Sequence, residues 1–144
     1  MDLKIDVGDI IAGIALLLAV YANWRNFTLL ESQKKLNQIR IENEKKADLK
    51  ASFIKHGKNG YKLEICNKGN SVARNVRLEF PEGYGGIFMQ NEIDSKFPLE
   101  SLEKFESVKL IAVFTQETKP NHTVKFIWND EAKKDNEKIV YPTR

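Results

Sequence analysis

Between Gly8 and Trp24 the chain reads GDIIAGIALLLAVYANW, and after Asp9 no charge interrupts it until Arg25. A stretch this apolar leaves few choices. A helix rises about 1.5 Å per residue and a bilayer's hydrocarbon core is about 30 Å thick, so a span needs roughly 20 mostly apolar residues. The 17 residues of Gly8–Trp24 reach that length when Ile5 and Val7 join at one end and Phe27, Leu29 and Leu30 at the other. Asp6, Asp9 and Arg25 then lie at headgroup depth, with Tyr21 and Trp24 at the interface that amphipathic rings prefer. Residues 1–24 are therefore read as a single transmembrane anchor. A secretory signal has a basic leader, whereas here Asp2, Asp6 and Asp9 face one Lys4. A helix buried in a soluble core is the other reading, but a surface helix shows an apolar stripe and this one is apolar on every face.

Orientation follows from the basic residues flanking the span. Only Lys4 precedes it, while Arg25, Lys34, Lys35 and Arg40 follow. The rule predicts an inner-membrane protein with its N-terminus outside and its C-terminal domain in the cytoplasm. The single Cys66 agrees, because it cannot form the internal disulfide common in secreted β-domains.

Gly8, Ala12, Ala15, Ala19 and Ala22 recur at spacings of four, three, four and three, which places them on one helix face. In lipid, close helix packing relies on small residues that let backbones approach. The stripe is thus read as a helix–helix contact, and with one such helix per chain the partner is another copy or another protein. Alanine is also common in membrane anchors, and short small-residue patterns recur by chance.

Residues 25–48 contain no Pro or Gly and are rich in Glu, Lys, Gln and Leu, good helix formers. They are expected to extend the anchor as a helical stalk. Leu29, Leu36 and Ile39 sketch a short coiled-coil seam, although Ser32 and Asn43 break it; a solvated spacer helix is the alternative. Residues 25–50 hold seven basic and four acidic side chains, against fifteen and thirteen in residues 51–144. The excess next to the membrane suits anionic lipid, and the balanced remainder argues against nucleic acid as a partner.

Beyond Asp48 the pattern changes to period two, broken by Gly, Asn and Pro clusters, which signals an all-β domain over 49–144. Strands are expected at Leu49–His56, Tyr61–Asn67, Ala73–Phe80, Gly86–Gln90, Phe105–Thr115, Thr123–Asn129 and Lys138–Tyr141, with turns at Lys58-Asn59-Gly60 and Lys119-Pro120-Asn121. Tyr61, Leu63 and Ile65, then Val76, Leu78 and Phe80, and Val124, Phe126 and Trp128 are the inward-facing sets. Seven strands in this length fit a mainly β, two-sheet sandwich.

The segment Asn67-Lys68-Gly69-Asn70-Ser71-Val72-Ala73-Arg74-Asn75-Val76 resembles the NxGxxxAxNV segment of prokaryotic immunoglobulin-like sandwiches of the cell-adhesion-related and NPCBM-associated groups. The matching positions are Asn67, Gly69, Ala73, Asn75 and Val76. The resemblance implies an immunoglobulin-like fold and no ligand or reaction.

Catalytic residues are scarce. His56 and His122 lie near turns and are expected at the surface, and Cys66 reads as a small strand residue with no base beside it in sequence. No cofactor or metal site is expected, and the chain is read as non-enzymatic. The loop Pro81-Glu82-Gly83-Tyr84-Gly85-Gly86 lacks the Lys-Ser/Thr of a phosphate-binding loop and reads as a turn. Tyr84, Phe88 and Met89, in or beside it, are the candidate contacts for a protein partner. The acidic connection 92–106 is expected to be a solvated loop.

The function these readings predict is a single-pass membrane protein that presents a β-sandwich interaction module and self-associates through its anchor. The alternative is a membrane-perturbing effector whose sandwich senses a signal and whose helices assemble into a pore. That alternative has to contend with a span that carries nothing polar between Ile10 and Tyr21.

Overall fold

The computed structural model describes residues 6–57, 60–116, 118 and 121–143. The expected turns at Lys58-Asn59 and Lys119-Pro120 lie outside these residues. The chain divides into two compact units, the second beginning at Glu42.

Helix α1 runs from Val7 to Glu44 and buries none of its residues. It is long and apolar enough to cross a membrane, the one such helix among the described residues. At its start the Asp6 N–H donates to Asp9 Oδ2 at 3.2 Å, the returning half of a capping box, and acidic groups are favoured at that end of the dipole. Past the apolar stretch, Thr28 Oγ1 and Ser32 Oγ donate to the carbonyls of Arg25 and Thr28, so these hydroxyls are satisfied within the helix itself. One uninterrupted helix therefore covers the described anchor and most of the expected stalk; it ends at Glu44, four residues short of the expected boundary, because Lys46, Ala47 and Asp48 are bonded into the sandwich.

The second unit is a two-sheet sandwich of seven antiparallel strands: β1 (Leu49–His56), β2 (Gly60–Asn67), β3 (Ala73–Glu79), β4 (Leu99–Leu102), β5 (Ser107–Ala112), β6 (Val124–Asn129) and β7 (Asn136–Val140). One sheet has the order β1-β2-β5, the other β4-β3-β6-β7. Leu49, Leu63, Ile65, Val76, Leu110, Val124 and Phe126 are fully shielded between the sheets, so period-two alternation identified the inward faces of β2, β3 and β6. On the outer face of the larger sheet Lys125 bonds to both Glu79 and Glu137 across neighbouring strands.

Two expectations fail between Gly86 and Glu106. The strand Gly86–Gln90 reduces to a single bridge between Phe88 and Ala112, and the expected solvated loop contains helix α2 (Gln90–Lys96) and strand β4. Seven- and four-residue elements are too short for their periodicity to stand out, and α2 buries one residue, Ile93. The acidic residues there have a structural task. Glu92 Oε2 accepts the Ile111 N–H at 3.0 Å, and Lys96 Nζ, held by Glu92 Oε1 at 2.7 Å, donates to the Lys109 carbonyl at 2.6 Å. The Val113 N–H donates to the Ile87 carbonyl at 3.0 Å. The outer edge of β5 is thereby closed, which a sheet edge needs if it is not to pair with another chain.

Candidate interaction surface

The sandwich has a near end, where the chain leaves α1, and a far end, where the His56 end of β1, the Gly60 end of β2 and residues 80–98, 113–116 and 121–123 gather. At the near end the side chain of Asn67, completely buried, is the hub. Its Oδ1 accepts the N–H groups of Gly69 at 3.0 Å and Asp48 at 3.2 Å, and its Nδ2 donates to the carbonyls of Ser71 at 2.8 Å and Leu102 at 3.0 Å. Because Asn67 ends β2 and Leu102 ends β4, this one amide ties the two sheets together. Asn and no isosteric acid fits, since the position needs an acceptor and a donor on one branch point.

The rest of the sequence motif follows from the same packing. A methyl group on Gly69 would sit 2.3 Å from the Asp48 nitrogen and 2.5 Å from the Ala47 Cα, so only glycine lets these backbones approach. Ala73 and Val76 are fully buried, and Asn75 takes φ 50° inside the irregular register between Arg74 and Arg77, a conformation asparagine tolerates. The residues leading into β1 are stitched to this end: Lys46 O accepts the N–H groups of Asn70 and Ser71, and Ala47 N–H donates to Asp130 Oδ2 at 3.0 Å. Asp48 also bonds Lys138 of β7.

The far end is held by rings. Phe53 meets Phe114 edge-on at 4.9 Å, Tyr61 meets Phe114 edge-on at 5.0 Å, and Phe80 lies 5.1 Å from Phe88. His122, expected at the surface, is half-buried and edge-on to Phe53 at 5.8 Å, whereas His56 is exposed as expected. Beside it a cavity of about 240 Å³ opens between Glu82, Gly83, Ile87 and the Asn121–Thr123 segment. Gly83, Gly85 and Gly86 all have positive φ, which explains the glycine cluster as a backbone requirement of this loop.

The three candidate partner residues separate. Phe88 is 4% exposed and belongs to the core, which corrects its assignment as a contact: the one-residue bridge to Ala112 turns its ring inward. Tyr84 is half-buried against Phe80 and Phe88, and its hydroxyl bonds Gln90. Met89, at 62%, is exposed. Gly8, Ala12, Ala15, Ala19 and Ala22 lie along α1, all exposed. Cys66 is a buried free thiol on β2, and among the described residues no group of three His, Cys, Asp or Glu is placed to hold a metal ion. The aromatic layer of Phe53, Tyr61, Phe80 and Phe114 carried no sequence motif, since its members are far apart in the chain and meet only through strand pairing.

The fold and this surface define a class: a long, apolar-headed helix followed by a seven-stranded sandwich with a bonded near end and an aromatic far end. The chain belongs to the family described as Domain of unknown function (DUF8453), whose model matches residues 7–143 and so takes in both helix and sandwich. No curated protein and no solved structure matches the chain.

Proposed function

We propose that the protein is a single-pass membrane protein whose sandwich, immunoglobulin-like and cytoplasmic, serves as a protein-interaction module, with copies associating through the small-residue face of α1. The observation that carries this reading is the contrast between two hydrophobic inventories. The core of the sandwich draws on residues from Ala47 onward, yet Ile10, Ile11, Ile14, Leu16, Leu17, Leu18 and Val20 remain more than half exposed. Burying such side chains is worth about 1.5–3 kcal/mol each, and a bilayer supplies the burial. A signal sequence accounts for the same hydropathy less well, given the acidic leader and a helix that runs unbroken from Val7 to Glu44. The charge asymmetry around the span supports the cytoplasmic placement, and the Asn67–Val76 segment with two sheets of seven strands supports the immunoglobulin-like reading.

Crosslinking the full chain in its native membrane, followed by mass spectrometry, tests this function. The expected result is a crosslinked dimer or larger assembly that is lost when Ala15 and Ala19 are replaced by Leu, together with a protein partner crosslinked to the sandwich. Monomer alone, with no sandwich crosslink to any protein, overturns it.

A further inference from the structure

The two edges of the smaller sheet are treated oppositely. The parity of the ladder fixes which backbone groups face outward. Asn67 N–H donates to Glu106 O and Asn67 O accepts from Phe105 N–H, so the odd-numbered residues of β2 point their backbone groups toward β5. The even-numbered ones face β1, pairing Cys66, Glu64 and Lys62 with Lys50, Ser52 and Ile54. Lys68 N–H donating to Asp48 O extends the same parity. The N–H and C=O groups of Ala51, Phe53 and Lys55 are therefore left on the open side of β1. No backbone hydrogen bond from a described residue reaches them. On β5, by contrast, the Lys109 carbonyl and the N–H groups of Ile111 and Val113 each have a partner on the outward side.

The open edge is long and has a sign. β1 has eight residues, against four in β4 and five in β7, the edge strands of the other sheet. Lys50 and Lys55 are exposed on it and Lys62 lies on the neighbouring strand. Among the described residues no carboxylate pairs with any of the three, because Asp48 is engaged by Lys138 and Glu64 by Lys109. Lysine on an edge discourages pairing with an identical edge by like-charge repulsion, and the same charge favours a strand of opposite sign.

We infer that the β1 edge is a docking site for an extended, acidic segment of a partner protein, which adds as a further strand beside β1. The incoming strand alternates in character. Side chains on its inner side lie beside Ala51 and Phe53 and are apolar; those on its outer side lie beside Lys50 and Ile54 and are acidic. Main-chain bonds to Ala51, Phe53 and Lys55 supply affinity, and the lysines supply selectivity. This site rests on the reading of the sandwich as an interaction module and gives it a partner class.

The probe is a fluorescent peptide as long as β1, alternating Val and Glu, titrated by anisotropy against the full chain in bilayer discs, with a Val and Lys peptide alongside. Ala51→Pro deletes an outward donor without touching the ladder to β2, and proline is tolerated at sheet edges. The expected result is that only the Val–Glu peptide binds, and that Ala51→Pro weakens it at least tenfold. Lys50→Glu with Lys62→Glu, both on the outer face of the sheet, is expected to reverse the preference. Equal binding of both peptides, unchanged binding by the doubly reversed protein, or no Val–Glu binding at millimolar peptide overturns the inference. A partner that crosslinks in membranes at sites other than β1, while these peptides fail, would leave the interaction module standing and remove the edge as its site.

Discussion

The two ends of the sandwich are held by different physics. At the near end one buried amide makes four hydrogen bonds to backbone groups of Asp48 just before β1, Leu102 of β4 and the turn after β2. At the far end the contacts are between rings, with centroids 4.9–6.4 Å apart, and the surrounding loop relies on three glycines at positive φ. The Asn67 amide commits both its oxygen and its nitrogen to the near-end backbone, which makes it a structural group. Ring packing sets a floor beneath the loops of the far end, and the docking edge proposed above runs along β1, away from the Asn67 tie.

That contrast can be broken experimentally. Asn67→Ala is expected to have the largest effect, destabilising the sandwich by about 3–5 kcal/mol in chemical denaturation, since several buried backbone groups lose their partner together. A loss below about 1 kcal/mol would mean the near end is not held by this side chain. Gly69→Ala comes next at about 3 kcal/mol, because the added methyl collides with backbone on the segment preceding β1, and backbone has little room to give. Glu92→Ala is expected to cost about 1–3 kcal/mol and to raise the amide exchange rate of Ile111, whose N–H loses its acceptor. Met89→Ala, exposed at the far end, is expected to change stability by less than about 0.5 kcal/mol. A large loss there would show that Met89, like its neighbour Phe88, packs into the core.

Much of this was legible in the sequence, for identifiable reasons. The uncharged run from Ile10 to Trp24, followed by residues 25–48 without Pro or Gly, announces a long helix, which ends at Glu44. Alternation marks the inward faces of β2, β3 and β6, although Cys66 and Ile127 are buried on the opposite faces and the irregularity at Asn75 sets Ala73 and Val76 three apart. Asn67 and Gly69 stand out as turn residues, although their role as a tie between sheets depends on Leu102, thirty-five positions from Asn67. Helix α2 and strand β4 were hidden because they are short and because the acidic side chains of 92–106 look solvated until Glu92 is seen on the Ile111 amide. Phe88 looked like a surface aromatic beside a glycine loop. Its burial comes from pairing with Ala112, a long-range contact that local pattern does not encode.

The account depends most on the apolar half of α1 residing in lipid. Alkaline carbonate extraction of membranes from cells producing the full chain tests this directly, with Leu17→Lys and Leu18→Lys introduced together as the comparison. The intact chain is expected to stay wholly in the membrane pellet, and the doubly substituted chain, carrying charges near the middle of the span, to move into the soluble fraction. Release of the unsubstituted chain into the supernatant would contradict the account.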